Sequence, residues 1–204
     1  EWSTPEVTDP WEAARYAAAG SLIMQRVSNL IIESRADQFR EMVITRCNVD
    51  YVSETTWGAH ESYFYTGDVD QIAEELLPFL ASRVVYTGAG GLDPRGCGIS
   101  FVLSPRLAGF FGSNVSRDTQ GGRGLVNTKD EPLSRGGSRL HLICGDNLCS
   151  QTAVALKAGA TALVVAMASN GAEPGRAVRL IDPIGSLRRF IGDPTCTTTA
   201  PLLS

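Results

Sequence analysis

The stretch Arg139-Leu-His-Leu-Ile-Cys-Gly-Asp146 decides how the rest of this sequence is interpreted. Apolar residues occupy every second position from Leu140 to Cys144, which is the period of a β-strand. We therefore predict a strand over 139–145, with His141 on the face opposite those apolar side chains. A histidine in such a strand is either a hydrogen-bonded core or rim residue or a ligand-binding residue, and the spacing alone leaves both open.

A helix is predicted directly after this strand. Ser150 can cap its N-terminus, and residues 153–167 are small and apolar nearly all round. That composition is typical of a helix buried against a sheet, so we predict a helix over 150–168 on the sheet's convex face. The apolar run 158–168 is too short and too interrupted to span a bilayer, and we expect no membrane association.

Composition and charge narrow the class of protein. A content of 43% hydrophobic and 20% charged residues is ordinary for a soluble globular protein, and 204 residues suffice for one domain. The net charge of −4 provides no basic field, so we expect no nucleic-acid partner. The five cysteines contain no C-x-x-C spacing and fit reduced thiols of a cytoplasmic protein.

Strands and helices are intermixed without a regular βαβ rhythm, which predicts an α+β fold with an antiparallel or mixed sheet. The glycine-rich segment 110–124 is expected to be mobile and 197–204 to be frayed. The predicted strands of one sheet are 41–47, 99–103, 124–128 and 139–145, with 62–65 as a short strand or extended piece. The predicted helices outside 150–168 are 10–33, 70–85 with a kink or split at Pro78, and 183–191.

The two histidines, His60 and His141, each stand beside glycine, acid and amide residues near a predicted strand. Imidazoles and carboxylates presented by neighbouring strands can hold Mg²⁺ and, through it, nucleotide phosphates. Because Mg²⁺ prefers oxygen ligands, carboxylates such as Glu1 and Glu6 are expected to dominate, with the histidines at the edge.

Three basic residues are candidates for neutralising phosphate or carboxylate charge: Arg106, Lys129 and Arg139. A serine hydrolase is a poor fit because no G-x-S-x-G motif is present, and neither a Walker A nor a Rossmann sequence occurs. Taken alone, these residues support a cytoplasmic α+β domain with a metal–nucleotide site and nothing finer.

A series of spaced motifs resembles the Pup ligase/depupylase family, in the same order along the chain. That family comprises the proteasome accessory factor A ligase and the deamidase/depupylase of Pup, a prokaryotic ubiquitin-like modifier. The motifs are Glu1-Trp-Ser-Thr-Pro-Glu6, Asn48-Val-Asp50, Trp57-Gly-Ala-His-Glu-Ser-Tyr63, Thr87-Gly-Ala-Gly90, Leu103-Ser-Pro-Arg106, Asn127-Thr-Lys-Asp-Glu-Pro132, Arg139-Leu-His141 and Gly145-Asp146.

The resemblance implies a glutamine-synthetase-like fold, a curved and largely antiparallel sheet that cradles ATP (or ADP and phosphate) and Mg²⁺ and is backed by helices. By the same resemblance Glu1 matches a magnesium ligand, Glu6 is a further acid, and His60 and His141 lie near the nucleotide and a second metal. The implied metal set is Glu1, Glu6, His60 and His141. The implied nucleotide set is Asn48, His60, Arg106, Lys129, Arg139 and His141.

The implied activity is ATP/Mg²⁺-dependent hydrolysis of the amide or isopeptide at a Pup-type C-terminal Gln or Glu, with a Pup-like modifier and pupylated proteins as partners. The segment Ser3-Thr-Pro-Glu6 favours this depupylase branch, because the ligase branch tends to have alanine there. A Pup–protein ligase and a non-catalytic binding homologue are the alternatives. Lys129 and Leu133 depart from the arginine and histidine that the family usually carries, which favours the last of these.

Residues 1–204 are expected to form a single, partial catalytic domain. The family's first strand with its metal-binding glutamate, and its C-terminal small domain, have no counterpart in the sequence. We expect the catalytic aspartate to lie upstream of Glu1, and the chain alone to be inactive, because the chemistry needs that carboxylate within hydrogen-bond reach of the reacting group.

Overall fold

The strand that contains His141 lies inside a four-stranded sheet. The computed structural model describes residues 2–53, 55–96, 98–118, 122–129 and 138–204, and all structural statements concern these residues. The strands are β1 (Val49–Asp50), β2 (Thr55–Thr56), β3 (Glu61–Tyr65), β4 (Gly91–Leu92), β5 (Phe101–Val102), β6 (Ser113–Ser116), β7 (Gly124–Asn127) and β8 (Ser138–Leu142).

The order of strands in the main sheet is β3-β8-β7-β6. β8 pairs antiparallel with β3 and β7, whereas β7 and β6 are parallel, so the sheet is mixed as predicted. Ser62 and Asn127 stand opposite His141 on its two neighbouring strands. Because paired residues share a face and successive residues alternate, these three side chains lie on one face, and Leu140 and Leu142 on the other.

Helices cover the apolar face of this sheet. The core on this face contains the fully buried leucines Leu140 and Leu142 of the sheet, together with Leu76 and Leu80 of a helix. Asp9 caps the first helix through the backbone N–H groups of residues 11 and 12. The helices are α1 (Pro10–Ser34), α2 (Val69–Ser82), α3 (Val84–Thr87), α4 (Pro105–Phe110), α5 (Gln151–Ser169), a 3₁₀ turn (Arg176–Val178) and α6 (Pro183–Ile191).

The prediction that α5 is buried nearly all round is wrong. The helix begins after its cap Ser150 as expected and packs against α1, α2 and β3. Its buried residues are confined to one stripe, whereas Leu156 and Leu163 on the rest of its surface are exposed. Contrary to expectation, this 19-residue helix is long and apolar enough to cross a membrane by length and composition alone. One such helix is weak evidence, because core helices of soluble proteins pass the same test.

Two of the predicted strands of the main sheet are wrong. Residues 41–47 form no strand and are almost entirely exposed, because Met42, Val43 and Ile44 are consecutive and give the segment no single apolar face. The strand predicted over 99–103 is shorter in the structure, where it is β5. It pairs with β4 in a separate two-stranded sheet and not with the main sheet. The strands predicted at 62–65, 124–128 and 139–145 are confirmed as β3, β7 and β8, with ends shifted by one to three residues.

Three further expectations need correction. The helix continues through Pro78, and the split occurs five residues later at Arg83. The segment 110–124 contains β6, and Gly124 permits its close pairing because a Cβ there would lie 2.6 Å from a backbone nitrogen of the neighbouring strand. The C-terminal residues are not frayed, since Leu202 forms a bridge with Leu180.

We predict that side chains on only one face of α5 can be shortened without loss of stability. Val165→Ala is expected to lower the free energy of unfolding by about 2 kcal/mol, because the side chain is 1% exposed and its loss leaves a cavity. Leu163→Ala on the same helix is the matched control and should change it by less than about 0.5 kcal/mol, since that side chain is 68% exposed. Urea denaturation measures both, and equal losses would contradict the one-sided burial of α5.

Candidate functional site

The structure brings the two predicted histidines together. The rings of His60 and His141 lie 5.2 Å apart between centroids, in an edge-to-face arrangement with an interplanar angle of 66°. His141 is buried in β8 and His60 is exposed, one residue before β3. Because Glu61 points into the core, strand alternation directs His60 to the face that also carries His141.

Close backbone packing fixes the segment before His60. The backbone N–H of Ala59 donates to the carbonyl of Gly145 at 2.9 Å. Gly58 lies against the guanidinium of Arg106, where a Cβ would be 2.5 Å from the central carbon. A Cβ on Gly145 would lie 2.4 Å from the carbonyl oxygen of Ala59, so both glycines are required for the close approach.

A buried ionic cluster lies under the histidines, on the core face of the sheet. The guanidinium of Arg83 binds both carboxylate oxygens of Glu61, at 2.8 and 2.9 Å. The Tyr63 hydroxyl donates to the same carboxylate at 2.7 Å, and Lys157 Nζ is 4.0 Å from it. Thr161 accepts a 2.7 Å hydrogen bond from Arg83. We call Glu61, Tyr63, Arg83, Lys157 and Thr161 the ionic cluster.

The ionic cluster changes the acidity of its members. Burial raises the pKa of Glu61, but the charges of Arg83 and Lys157 outweigh it and hold that pKa below its ordinary value of 4.5. Burial lowers the pKa of Lys157, opposed by the charge of Glu61. The pKa of Tyr63 is raised by burial and by the neighbouring carboxylate. Glu61 is therefore ionised at neutral pH although its side chain is 9% exposed.

Asp146 and Arg106 form a second buried polar group beside the turn at Gly145. Asp146 Oδ2 accepts from the backbone N–H of Ala89 at 3.0 Å, and burial raises the pKa of this carboxyl. Arg106 stacks on Phe111 at 5.0 Å, and burial lowers its pKa. Arg106, predicted on the nucleotide side, is thus enclosed behind Gly58. Among the described residues, Arg106 Nε and Asp146 Oδ1 have no hydrogen-bond partner.

A small basic cleft collects two of the predicted nucleotide residues, Lys129 and Arg139. It has a volume of about 200 Å³ and is also lined by Arg117 and Asn127. Arg139 lies two residues before His141 on the same face of β8 and donates to Ser62 Oγ at 2.9 Å. Three cations at one cleft suit an anionic ligand such as phosphate or carboxylate.

The predicted residue Asn48 lies at a different cleft, of about 280 Å³, whose wall also includes Asn147 and Cys149. Its carboxamide accepts from the backbone N–H of Asn147 at 2.7 Å and donates to the carbonyl of the same residue at 3.2 Å. The side chain therefore joins two distant segments, and a role in nucleotide binding stays a prediction.

The predicted metal site is not assembled by the described residues. Glu1 lies outside them, and Glu6 is exposed. No three His, Cys, Asp or Glu side chains meet in a group that could hold a metal ion in the part of the chain that the structure describes. Mg²⁺ requires several oxygen ligands, and His60 and His141 do not meet that need. The described residues thus do not fit a magnesium site by themselves.

Sequence reasoning missed the ionic cluster. One signal was available: Lys157 is the only charged residue of the otherwise apolar helix α5, and a charge in that position requires a buried partner. The identity of that partner was not accessible, because Glu61 and Arg83 are 96 and 74 residues away in sequence. The cluster has no local sequence motif, because its members come from β3, the end of α2 and α5.

Gly145→Ala is predicted to destabilise the protein by about 1–3 kcal/mol and to displace His60, because the added methyl group collides with the backbone of Ala59. Gly112→Ala is the control, since nothing lies within 4 Å of its Cβ position. Thermal unfolding measures both variants. An unchanged melting temperature for Gly145→Ala would show that the segment before His60 is not fixed by this contact.

The ionic cluster also predicts an acid dependence of stability. The folded-state pKa of Glu61 is depressed, so its contribution is present above about pH 4.5 and is lost as pH falls through the folded value. The stability gap between the wild type and Glu61→Gln should therefore shrink as pH is lowered from 6 to about 3. Glu74→Gln, at an exposed position of α2, is the control. A gap that does not depend on pH would contradict an ionised Glu61.

The chain is similar in sequence to known proteins of Pup modification. The chain is 36% identical to a depupylase of Acidothermus cellulolyticus, covering 96% of the chain and 39% of that protein. It is 32% identical to a Pup deamidase/depupylase of Mycobacterium tuberculosis, over 99% of the chain and 41% of that protein. Identity to a Pup–protein ligase of Paenarthrobacter aurescens is also 32%, over 96% of the chain and 44% of that protein. The chain thus spans less than half the length of these relatives.

The fold matches solved structures of the same group. The Pup ligase PafA in complex with ADP superimposes with a TM-score of 0.82 at 28% identity, over 99% of the chain and 45% of that structure. PafA in complex with the prokaryotic ubiquitin-like protein Pup gives a TM-score of 0.70 at 26% identity. This confirms the predicted α+β fold of the glutamine-synthetase-like kind. Since the sequence model of the Pup-ligase protein family matches residues 1–204, the chain belongs to that family.

Proposed function

We propose that this chain is part of an ATP-dependent enzyme of Pup modification, acting as a Pup deamidase/depupylase. One observation carries the proposal: the rings of His60 and His141 meet at 5.2 Å on the polar face of the sheet, in a chain that matches the family over its whole length. Arg139 shares that face with His141, and Lys129 shares a cleft with Arg139. Together these residues supply positive charge and N–H donors to an anionic ligand.

The proposed reaction is hydrolysis at the γ-carbonyl of a C-terminal glutamine, or of a glutamate joined to a lysine. The oxygen of water bonds to the carbonyl carbon, the carbon–nitrogen bond breaks, and a proton passes to the departing ammonia or lysine amine. His60 and His141 would donate hydrogen bonds where negative charge develops or to nucleotide phosphate. Arg139 and Lys129 would hold the phosphates of a bound nucleotide.

The depupylase role is supported by two modest observations. The identity to the depupylase of Acidothermus cellulolyticus is 36%, against 32% for the ligase of Paenarthrobacter aurescens. The segment Ser3-Thr-Pro-Glu6 also resembles the depupylase branch. The alternative is a Pup–protein ligase, in which ATP phosphorylates a glutamate carboxylate and a lysine amine displaces the phosphate. The two solved structures described above are of such a ligase.

The partners in this proposal are Pup and proteins conjugated to it, and the nucleotide is ATP or ADP. Of the two Pup ligase structures matched above, one is a complex with ADP and the other a complex with Pup, which supports these two ligands. Mg²⁺ stays a prediction that rests on Glu1 and Glu6. A cytoplasmic location is proposed because the substrates of such an enzyme would be intracellular proteins.

Activity distinguishes the two roles. The intact protein is incubated with ATP, Mg²⁺ and either Pup ending in glutamine or a Pup–lysine conjugate, and release of ammonia or lysine amine is measured. We expect release, lowered about 100-fold or more in His141→Ala, because N–H donors are lost where charge develops. Leu163→Ala, on the exposed surface of α5, is the control and should be fully active.

The outcomes separate the candidates. Conjugation of Pup ending in glutamate to a lysine, with no release from the conjugate, would identify a ligase and overturn the depupylase role. An intact protein that neither releases nor conjugates Pup would overturn both roles. The 204-residue chain alone is expected to be inactive in either assay, and turnover by it above the protein-free blank would contradict the placement of the catalytic acid outside these residues.

A further inference from the structure

The ionic cluster is linked to the histidines through one residue. Glu61 directly follows His60, and its side chain lies on the core face of β3 while His60 is directed to the polar face. The carboxylate of Glu61 accepts hydrogen bonds from Arg83 and Tyr63 and lies 4.0 Å from Lys157. The first residue of β3 is thereby fixed from three directions.

A buried ion pair of this kind is not explained by stability. Removing Arg83 and Glu61 from water costs several kcal/mol for each ion, and apolar replacements of similar volume are often as stable or more stable. The geometry of the pair offers a better explanation, since the guanidinium meets both carboxylate oxygens at 2.8 and 2.9 Å. A two-pronged contact fixes orientation, which a single charge contact does not.

Arg83 is itself held in place. Its side chain is 3% exposed, and one nitrogen donates to Thr161 of α5 at 2.7 Å while another contacts Cys144 Sγ at 3.4 Å. Cys144 lies in the segment that follows β8, three residues after His141. The guanidinium therefore contacts the residue after His60 and the chain after His141 at the same time.

We propose that Arg83 is a positioning residue: through Glu61 and Cys144 it holds the segments of His60 and His141 at the separation that the reaction requires. The effect of Arg83 on catalysis rests on the proposed function, whereas its effect on the distance between the two rings does not. Arg83 does not reach the polar face, so it is not a catalytic residue. In Arg83→Lys, a single ammonium group replaces the two-nitrogen contact with Glu61. The positive charge is kept, but the orientation of the two histidine rings should become less fixed.

His60 and His141 are the only histidines among these 204 residues, so their ring signals in the intact protein can be assigned by replacing each in turn. In a sample with labelled histidine, a nuclear Overhauser cross-peak between the two rings is expected for the wild type, whose ring centroids are 5.2 Å apart. Arg83→Lys should weaken this cross-peak and shift both ring signals while the amide spectrum stays that of a folded protein. An unchanged cross-peak and unchanged ring shifts in Arg83→Lys would overturn the proposal.

Two further variants keep the test decisive. Glu61→Gln keeps the side-chain shape and removes the charge, and it decides the outcome by the same cross-peak if Arg83→Lys does not fold. Arg179→Lys is the matched control, because Arg179 pairs with the buried Glu75 at 3.1 Å and contacts neither histidine segment. Equal weakening of the cross-peak in Arg179→Lys would overturn the proposal, since any lost ion pair would then have the same effect.

Enzyme kinetics of the intact protein test whether Arg83 affects catalysis. Arg83→Lys should lower kcat about 10- to 100-fold with a smaller change in KM, because misplaced groups lose transition-state contacts more than substrate binding. If Pup turnover is absent from the wild type, the proposed function fails while the cross-peak still tests the positioning role. If turnover is present and Arg83→Lys leaves kcat unchanged, the positioning role fails and the proposed function stands.

Discussion

The contact between Arg83 and Glu61 is the constraint on which the rest of the site depends. It joins the end of α2 to the first residue of β3, and Thr161 extends it to α5. Three elements that are far apart in sequence therefore meet at one guanidinium. Because an unpaired buried charge is strongly destabilising, the folded state must keep these elements in contact, and the place where they meet lies under the histidines.

The sheet separates two kinds of chemistry. Its core face carries the leucines and the ionic cluster, in which the Glu61 carboxylate pairs with the Arg83 guanidinium. Its other face carries His60, His141 and Arg139, which we propose bind an anionic ligand. Strand alternation is what makes this possible, since the neighbours Glu61 and His60 serve opposite faces with no intervening residue. The small residues Gly58 and Gly145 allow the two strands' ends to approach closely enough for the rings to meet.

Local patterns in the sequence predicted much of the fold. The caps Asp9 and Ser150 located the starts of α1 and α5, and the alternation around His141 located β8. Predictions failed where tertiary context decides. The local sequence of residues 41–47 does not differ from that of a strand, yet they have no partner strand. The composition of α5 likewise does not show that one side of the helix is exposed. The pairing of β6 with β7 requires that Gly124 has no side chain. In the sequence, the same glycine-rich segment is typical of a flexible loop.

The site was predictable only in part, and for related reasons. The meeting of His60 and His141 was expected and is observed, whereas Arg106 and Asn48 turn out to be engaged within the fold by Gly58 and Asn147. The ionic cluster has no spacing signature, because its members come from β3, α2 and α5. Lys157 was the single visible sign of it.

We propose that a nucleotide binds to the polar face around His60 and His141. The most direct test is titration of the intact protein with ADP, followed by the ring signals of His60 and His141. Both ring signals should shift together as ADP saturates the protein, whereas the methyl signal of Leu163, on the exposed surface of α5, should not move. Saturable ADP binding that leaves both ring signals unchanged would show that the nucleotide binds elsewhere.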